Sequence, residues 1–171
     1  MTQLVRVHNF GVSQDGYAAG EGQSLERPFG HADPQTLLGW ALGTASWPGR
    51  SDDGGSRGLE DYLVREFHRD IGAEIMGRNK FGPQRGPWTD HEWQGWWGDE
   101  PPFHTPVFVM THHERPSFTL SDTTFHFVGG DPATVLARAL EAADGKDVRL
   151  GGGATTVRQF LDAGLVDTLH V

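Results

Sequence analysis

The stretch that decides the fold is Val148-Arg149-Leu150-Gly151-Gly152-Gly153-Ala154-Thr155-Thr156-Val157-Arg158-Gln159-Phe160-Leu161. A short apolar segment runs into three glycines, and the sequence then takes helical spacing, with Val157, Phe160 and Leu161 at i, i+3 and i+4. Glycines between a strand and a helix allow a tight turn and leave the first helical amides unpaired, at the positive end of the helix dipole. Such amides bind phosphate. The stretch fits two interpretations, an ordinary turn or a phosphate site, and it has neither the GxGxxG fingerprint nor the Lys-Ser/Thr pair of a P-loop.

Composition limits the class of protein. A chain of 171 residues with 36% hydrophobic residues and six tryptophans predicts one globular domain over residues 1–171. The net charge of −9 argues against a nucleic acid or an anionic membrane as partner. The absence of cysteine excludes disulfides, thiolate metal sites and a cysteine nucleophile. No signal-like segment or long apolar run occurs, so we expect a cytoplasmic protein.

Strand-like and helix-like segments alternate along the chain. Strands are predicted over residues 4–12, 73–76, 106–110, 148–150 and 166–171, with one or two more in 118–128, and helices after Asp33-Pro34, over 59–69, after Asp131-Pro132 and over 154–163. This alternation favours an α/β fold with a mostly parallel central sheet covered by helices on both faces. Residues 47–58 and 83–105 are interpreted as loop insertions.

The second of these insertions carries Trp88, Trp93, Trp96 and Trp97 in a Pro/Gly-rich context. Two interpretations remain open. The tryptophans cover an edge of the core or a subunit contact, or they form a wall or lid over a flat ligand.

Three predicted strand ends carry groups suited to phosphate. Ligands of parallel sheets bind beyond the carboxyl ends of the strands. The segments are Gly77-Arg78-Asn79-Lys80, Thr111-His112-His113 and Gly151 to Thr156. Arg78 offers a planar fork, Lys80 a point charge, Thr111 a hydroxyl and the glycines backbone amides. Phosphates at several separated points indicate a dinucleotide, and an extra terminal phosphate indicates NADPH; the alternative is that Arg78 and Lys80 are plain surface charges.

Other chemistries find little support. The chain has nine histidines, but it has no HExxH motif, and the adjacent His112 and His113 point to opposite sides of an extended chain, so no metal site is predicted. No GxSxG nucleophile elbow occurs. The candidate substrate-pocket residues are Ser13, Asp15, Phe29, Asp33 and Trp40. Asp33 is explained equally well as a helix cap.

Four motifs, in this order, resemble the dihydrofolate-reductase-like superfamily, and within it the riboflavin-biosynthesis reductases with a RibD C-terminal domain. They are Val12 to Gly16, Ile75 to Arg78, Phe108 to Thr111 and Leu150 to Val157. The resemblance implies a three-layer α/β fold that binds NADPH.

By position, this resemblance places Gly77, Arg78, Asn79 and Lys80 at the adenosine-side phosphates, and Thr111 and His112 beside the 2′-phosphate. Gly151, Gly152, Gly153, Ala154, Thr155 and Thr156 would hold the pyrophosphate. It also makes Gly151–Gly152 a candidate cis peptide bond.

The chain departs from that pattern at three places. Dihydrofolate reductases usually have Thr in place of Lys80. They carry an acidic residue on the first helix, where this chain has Gly39, Trp40 and Ala41, so folate is not a supported substrate. Family members continue with a terminal pair of strands, which we therefore expect to be missing after Val171.

The leading hypothesis is an NADPH-dependent reductase that passes hydride to a carbonyl, an imine or a ribosylamino-pyrimidine-like substrate, with Asp15 as the candidate polar contact. The alternative is a nucleotide- or flavin-binding protein of the same fold without turnover. A third hypothesis is a dimerisation unit with Trp96 and Trp97 at the interface. A homodimer is expected.

Overall fold

The computed structural model describes residues 2–48, 50 and 52–171. The strands are β1 (Val5–Val7), β2 (Ile71–Gly77), β3 (Val107–Met110), β4 (Phe118–Leu120), β5 (Thr123–Val128), β6 (Asp147–Leu150) and β7 (Thr168–Leu169). The helices are α1 (Pro34–Leu42), α2 (Leu59–Arg65), α3 (Arg78–Phe81), α4 (Pro132–Ala142) and α5 (Ala154–Asp162).

All seven strands form one sheet in the order β4-β5-β3-β2-β6-β1-β7. Every neighbouring pair is parallel except β4 and β5, which form an antiparallel hairpin. The mostly parallel sheet with helices on both faces confirms the predicted α/β, dihydrofolate-reductase-like fold class. The carboxyl ends of β3, β2, β6 and β1 lie side by side along one edge of the sheet.

The two faces of the sheet have different cores. On one face, alternate residues of β1, β2 and β6 pack with α4 and α5 around Val7, Ile75, Leu150, Val135 and Phe160. On the other face, the aromatic cluster of Phe81, Phe103, Phe125 and Phe127 packs on Met76 and Val109. Arg6, Glu74 and Arg149, one each from β1, β2 and β6, also lie on this second face, because they alternate with the first set.

Both predicted cap-plus-proline signals begin helices. The carboxylate of Asp33 accepts from the amide of Gln35 at 3.0 Å, and that of Asp131 accepts from the amide of Thr134 at 2.8 Å. Proline follows each cap in the first turn, where its missing N–H costs nothing.

Several elements are shorter than the sequence predicted. The strand expected over 4–12 ends at Val7, because Asn9 takes a left-handed φ of 56° and turns the chain. Residues 118–128 divide into two strands at Ser121, which has a φ of 52°. The helix expected over 59–69 ends at Arg65, and the last strand is two residues long. Among the described residues, no helix is long and apolar enough to cross a membrane.

Candidate cofactor site and adjoining cavity

The three glycines form a turn that is tied to β2. The amide of Gly151 donates to the carbonyl of Ile75 at 2.9 Å, and the amide of Gly77 donates to the carbonyl of Gly152 at 2.7 Å. The cis peptide bond is Gly152–Gly153, so the prediction of Gly151–Gly152 is wrong by one residue. Gly152 has a φ of 104°, which a residue with a Cβ rarely adopts.

Helix α5 starts directly after this turn without a side-chain cap. Gly153 occupies the N-cap position and, lacking a side chain, leaves the first-turn amides of Ala154, Thr155 and Thr156 for another acceptor. A Cβ placed on Gly153 would meet no atom within 4 Å, so the backbone is open to a ligand here. By contrast, a Cβ on Gly77 would lie 2.2 Å from Oγ1 of Thr156. The open, uncapped helix start suits an anion.

Arg78 directly follows Gly77, the last residue of β2, which approaches Thr156 at this helix start. Its guanidinium lies 3.8 Å from the centre of the Trp88 ring, and Nη1 donates to the carbonyl of Gly86. Its Nε and Nη2 are buried and find no partner among the described residues. Burial lowers the pKa of Arg78. Two unsatisfied donors on a planar fork are what a phosphate requires.

Lys80, in contrast, is committed to protein atoms. Its Nζ donates to the carbonyl of Gly151 at 2.7 Å and lies 3.2 Å from Oε1 of Glu74. Oε2 of Glu74 accepts from Nη1 of Arg149 at 2.7 Å. The Lys80 ammonium therefore stabilises the glycine turn through the carbonyl of Gly151. The sequence predicted instead a point charge available to a phosphate.

These three side chains, Glu74, Lys80 and Arg149, are called the buried charge network below. One carboxylate faces two cations, so the formal charge of the network is +1. The guanidinium of Arg149 stacks 3.3 Å from the centre of the Phe67 ring. Burial, followed by the Arg149 charge, lowers the pKa of the neighbouring His68 to about 4. The positive excess lies under the glycine turn and favours an anion there.

Sequence reasoning missed Glu74 and Arg149. The available signal was a charged residue inside each of two apolar strand segments, since such residues are seldom fully buried unless paired.

The remaining predicted cofactor residues lie at the expected strand ends. Thr111 follows β3, and its Oγ1 is 3.1 Å from both the amide and the carbonyl of His113, so this hydroxyl stabilises its own turn. His112 and Asn79 are exposed.

The tryptophan-rich segment covers these strand ends. The indole N–H of Trp96 donates to the carbonyl of Lys80 at 2.8 Å, that of Trp93 to Phe81 at 3.0 Å, and that of Trp88 to His113. All three rings are half-buried; Trp88 and Trp93 pack against the second core, and Trp96 packs on Trp93. The geometry favours the interpretation as cover for a core edge.

A cavity of about 220 Å³ lies at the ends of β1 and β7, under α2. It is lined by His8, Asn9, Tyr62, Leu63, Glu66 and His170. The Trp40 ring meets the His170 ring edge-on, with 5.9 Å between their centres. Of the predicted substrate residues, Trp40 therefore lies beside the cavity.

The other predicted substrate residues do not line this cavity. Oγ of Ser13 donates to the exposed carboxylate of Asp15 within a turn, and Asp33 is the N-cap of α1. Phe29 belongs to a separate turn, where its carbonyl accepts from the amide of Gly20 at 3.0 Å. Sequence reasoning missed the cavity because its walls come from positions more than 50 residues apart.

Residues 6–171 match the family model of the RibD C-terminal domain. The chain is also similar to a solved structure named as a candidate riboflavin biosynthesis protein from Shewanella sp. PV-4. The two are 23% identical with a TM-score of 0.47, over 98% of this chain and 73% of that one. No curated protein matches the sequence. Because the family model spans nearly the whole chain, the protein belongs to the RibD C-terminal domain family.

Proposed function

We propose that this protein is an NADPH-dependent reductase that transfers hydride to a small carbonyl, imine or ribosylamino-pyrimidine-like substrate. The observation that carries the proposal is the uncapped start of α5, which Gly77 at the end of β2 approaches, together with the two unpartnered donor nitrogens of Arg78, the next residue. Membership of a family of reductase-like domains supports it.

The proposal gives each anion-binding group one role. The first-turn amides of α5 hold the pyrophosphate, and the fork of Arg78 holds a terminal phosphate. The buried charge network adds a positive potential beneath the turn without a direct contact. His112, exposed at the end of β3, flanks the same terminal phosphate.

The order of the strands determines the direction in which the bound cofactor would run along the sheet edge. Arg78 follows β2, the glycine turn follows β6, and the cavity adjoins β1 and β7, so the sites succeed one another along the sheet edge. Phe10 lies between the glycine turn and the cavity. A Cβ on Gly152 would lie 2.5 Å from its ring, and it directly follows Asn9 of the cavity lining. When bound, the reduced nicotinamide supplies the hydride. The chain binds the phosphates, orients the substrate in the cavity and excludes water with Trp40 and α2.

A cofactor titration tests the proposal. NADPH should quench tryptophan fluorescence, and Arg78→Gln should weaken binding about 10- to 100-fold, since a hydrogen bond to a charged group contributes about 1.5–3 kcal/mol. The same substitution should weaken the binding of NADH less, because NADH lacks the terminal phosphate. Arg85→Gln, an exposed arginine seven residues along, is the control and should bind as wild type does. Folded protein that binds no NADPH at millimolar concentration contradicts the proposal.

A second candidate function is nucleotide or flavin binding without turnover. Its support is the absence of an acidic side chain on α1, where Gly39, Trp40 and Ala41 stand. NADPH bound but not oxidised in the presence of benzaldehyde, 2-methyl-1-pyrroline or a ribosylamino-pyrimidine would favour this function.

A further inference from the structure

We propose that His170 is the proton donor of the reductase reaction and that Asn9 is its positioning residue. The inference rests on the function proposed above. His170 lines the cavity at the ends of β1 and β7, and its Nδ1 lies 2.9 Å from Oδ1 of Asn9.

The hydrogen bonds of Asn9 fix the tautomer of the imidazole. Nδ2 of Asn9 donates to the carbonyl of Leu63 at 2.9 Å, and a carbonyl can only accept, so the amide oxygen must face His170. An amide oxygen also only accepts, so Nδ1 of His170 carries the hydrogen. The backbone amide of Asn9 also points at this Nδ1, at 3.3 Å, and that contact requires Nδ1 to accept; the contact with Oδ1 is shorter, at 2.9 Å, and decides the assignment. Nε2, on the opposite edge of the ring, makes no hydrogen bond with the described residues.

The imidazole of His170 contacts the first helix, which carries no acidic residue in this chain. In the dihydrofolate reductases that this sequence resembles, an acidic residue of the first helix protonates the substrate. Here Trp40 of α1 meets the His170 ring edge-on at 5.9 Å. The histidine, which directly follows β7, thus contacts the first helix at Trp40.

The other titratable groups around the cavity are His8, Tyr62 and Glu66. Burial first, and then the charge of Arg6, lowers the pKa of His8, so this ring favours its neutral form. Oε1 of Glu66 accepts from Arg69 at 3.0 Å, and Tyr62 is exposed on α2. His170 is the other imidazole of the lining, and Asn9 holds its ring.

The chemical step balances with one proton and one hydride. The carbon of the C=O or C=N bond accepts the hydride, and the π electron pair moves to the heteroatom. The heteroatom takes the proton from Nε2 of the imidazolium, leaving the neutral ring with its hydrogen on Nδ1. The bond to Asn9 is the same before and after transfer, and solvent restores the proton.

Nitrogen NMR on the wild-type protein with labelled histidine tests the geometry without any cofactor. At pH 8 the neutral ring of His170 should carry its hydrogen on Nδ1. In Asn9→Gly, which still permits the left-handed backbone, this preference should be lost. A hydrogen on Nε2 in the wild-type protein overturns the proposal.

Kinetics with the acceptor from the panel above test the role. Loss of a general acid lowers kcat/KM about 100-fold or more, so His170→Gln should lose that much while the Kd for NADPH stays within about twofold. His104→Gln, with a side chain 65% exposed beside Asp122, is the control.

Two results separate the possible failures. A His170→Gln rate within threefold of wild type overturns the role of His170 and leaves the reductase function standing. Wild-type protein that binds no NADPH overturns the reductase function, and with it the role of His170 as proton donor; the tautomer measurement still decides the geometry of its ring.

Discussion

Replacing Glu74 with Gln removes the only negative charge of the buried charge network while keeping its size. Oε2 of Glu74 accepts from Arg149 at 2.7 Å, and the two side chains are 2% and 4% exposed. Lys80 keeps its bond to the carbonyl of Gly151 at 2.7 Å, and its side chain is 26% exposed, so water can replace its second partner. Arg149 is therefore the cation that mainly loses its counter-charge.

The expected cost follows from that burial. Removing one partner of a buried ion pair costs about 3–5 kcal/mol, because the other charge stays buried without a counter-charge. We expect about 3 kcal/mol for Glu74→Gln, the lower end, since the guanidinium keeps its stacking on Phe67. In an equilibrium urea titration at pH 7, with a slope of about 2 kcal/mol per molar, the midpoint should fall by about 1.5 M.

Two further variants make the result decisive. Lys80→Met leaves the Glu74–Arg149 pair intact and should cost about 1.5–3 kcal/mol, the value of a hydrogen bond to a charged group. Replacing all three with apolar residues (Glu74→Leu, Lys80→Met, Arg149→Met) should recover most of the stability, because no buried charge is left unpaired. A loss below about 1 kcal/mol for Glu74→Gln, or a triple variant less stable than the single one, refutes the reasoning.

Three other predictions follow from single contacts. The pKa of His68 is about 4 in the folded protein, against 6.5 for an ordinary histidine. The contribution of the neutral ring to the free energy of unfolding is therefore complete above pH 6.5 and is lost as the pH falls toward 4. The loss is about 3 kcal/mol, and His68→Gln should remove this part of the pH dependence in urea titrations at both pH values. Gly77→Ala should push Thr156 from the start of α5 and lower the melting temperature. Gly39→Ala should instead stabilise the protein by about 0.5–1 kcal/mol, because the new Cβ would lie 3.5 Å from its nearest neighbour, Oε1 of Gln35, inside α1. Trp88→Leu should weaken NADPH binding in a fluorescence-independent calorimetric titration, because Arg78 loses its ring support; unchanged affinity would show that the stacking is dispensable.

Local signals in the sequence predicted the parts of the site that depend on neighbouring residues. The turn at Gly151 to Gly153 and the caps at Asp33 and Asp131 each follow from a few consecutive residues, and the structure places them as expected. The carboxyl ends of β2 and β6 then bring Arg78 to the glycine turn, because parallel strands end at one edge.

Contacts between distant residues were beyond sequence reasoning. Glu74 and Arg149 are 75 residues apart, and neither has a local partner that reveals the other. Asn9 and His170 are 161 residues apart, and the strand pattern gave no hint that Asn9 would leave the extended conformation. Lys80 shows the same limit, because a cation after a strand looks free until its acceptors are known.

The tryptophan-rich segment is held on the strand ends by hydrogen bonds to backbone carbonyls. Its indole groups bind the backbone carbonyls of Lys80, Phe81 and His113, which every residue type possesses. The exposed side chains of Asn79 and His112 are therefore not needed to keep the cover in place, whereas Arg78 contacts it at Trp88 and Gly86. Mutation can alter these two exposed side chains one at a time without unseating the cover, so within this architecture ligand preference is free to diverge while the scaffold stays unchanged.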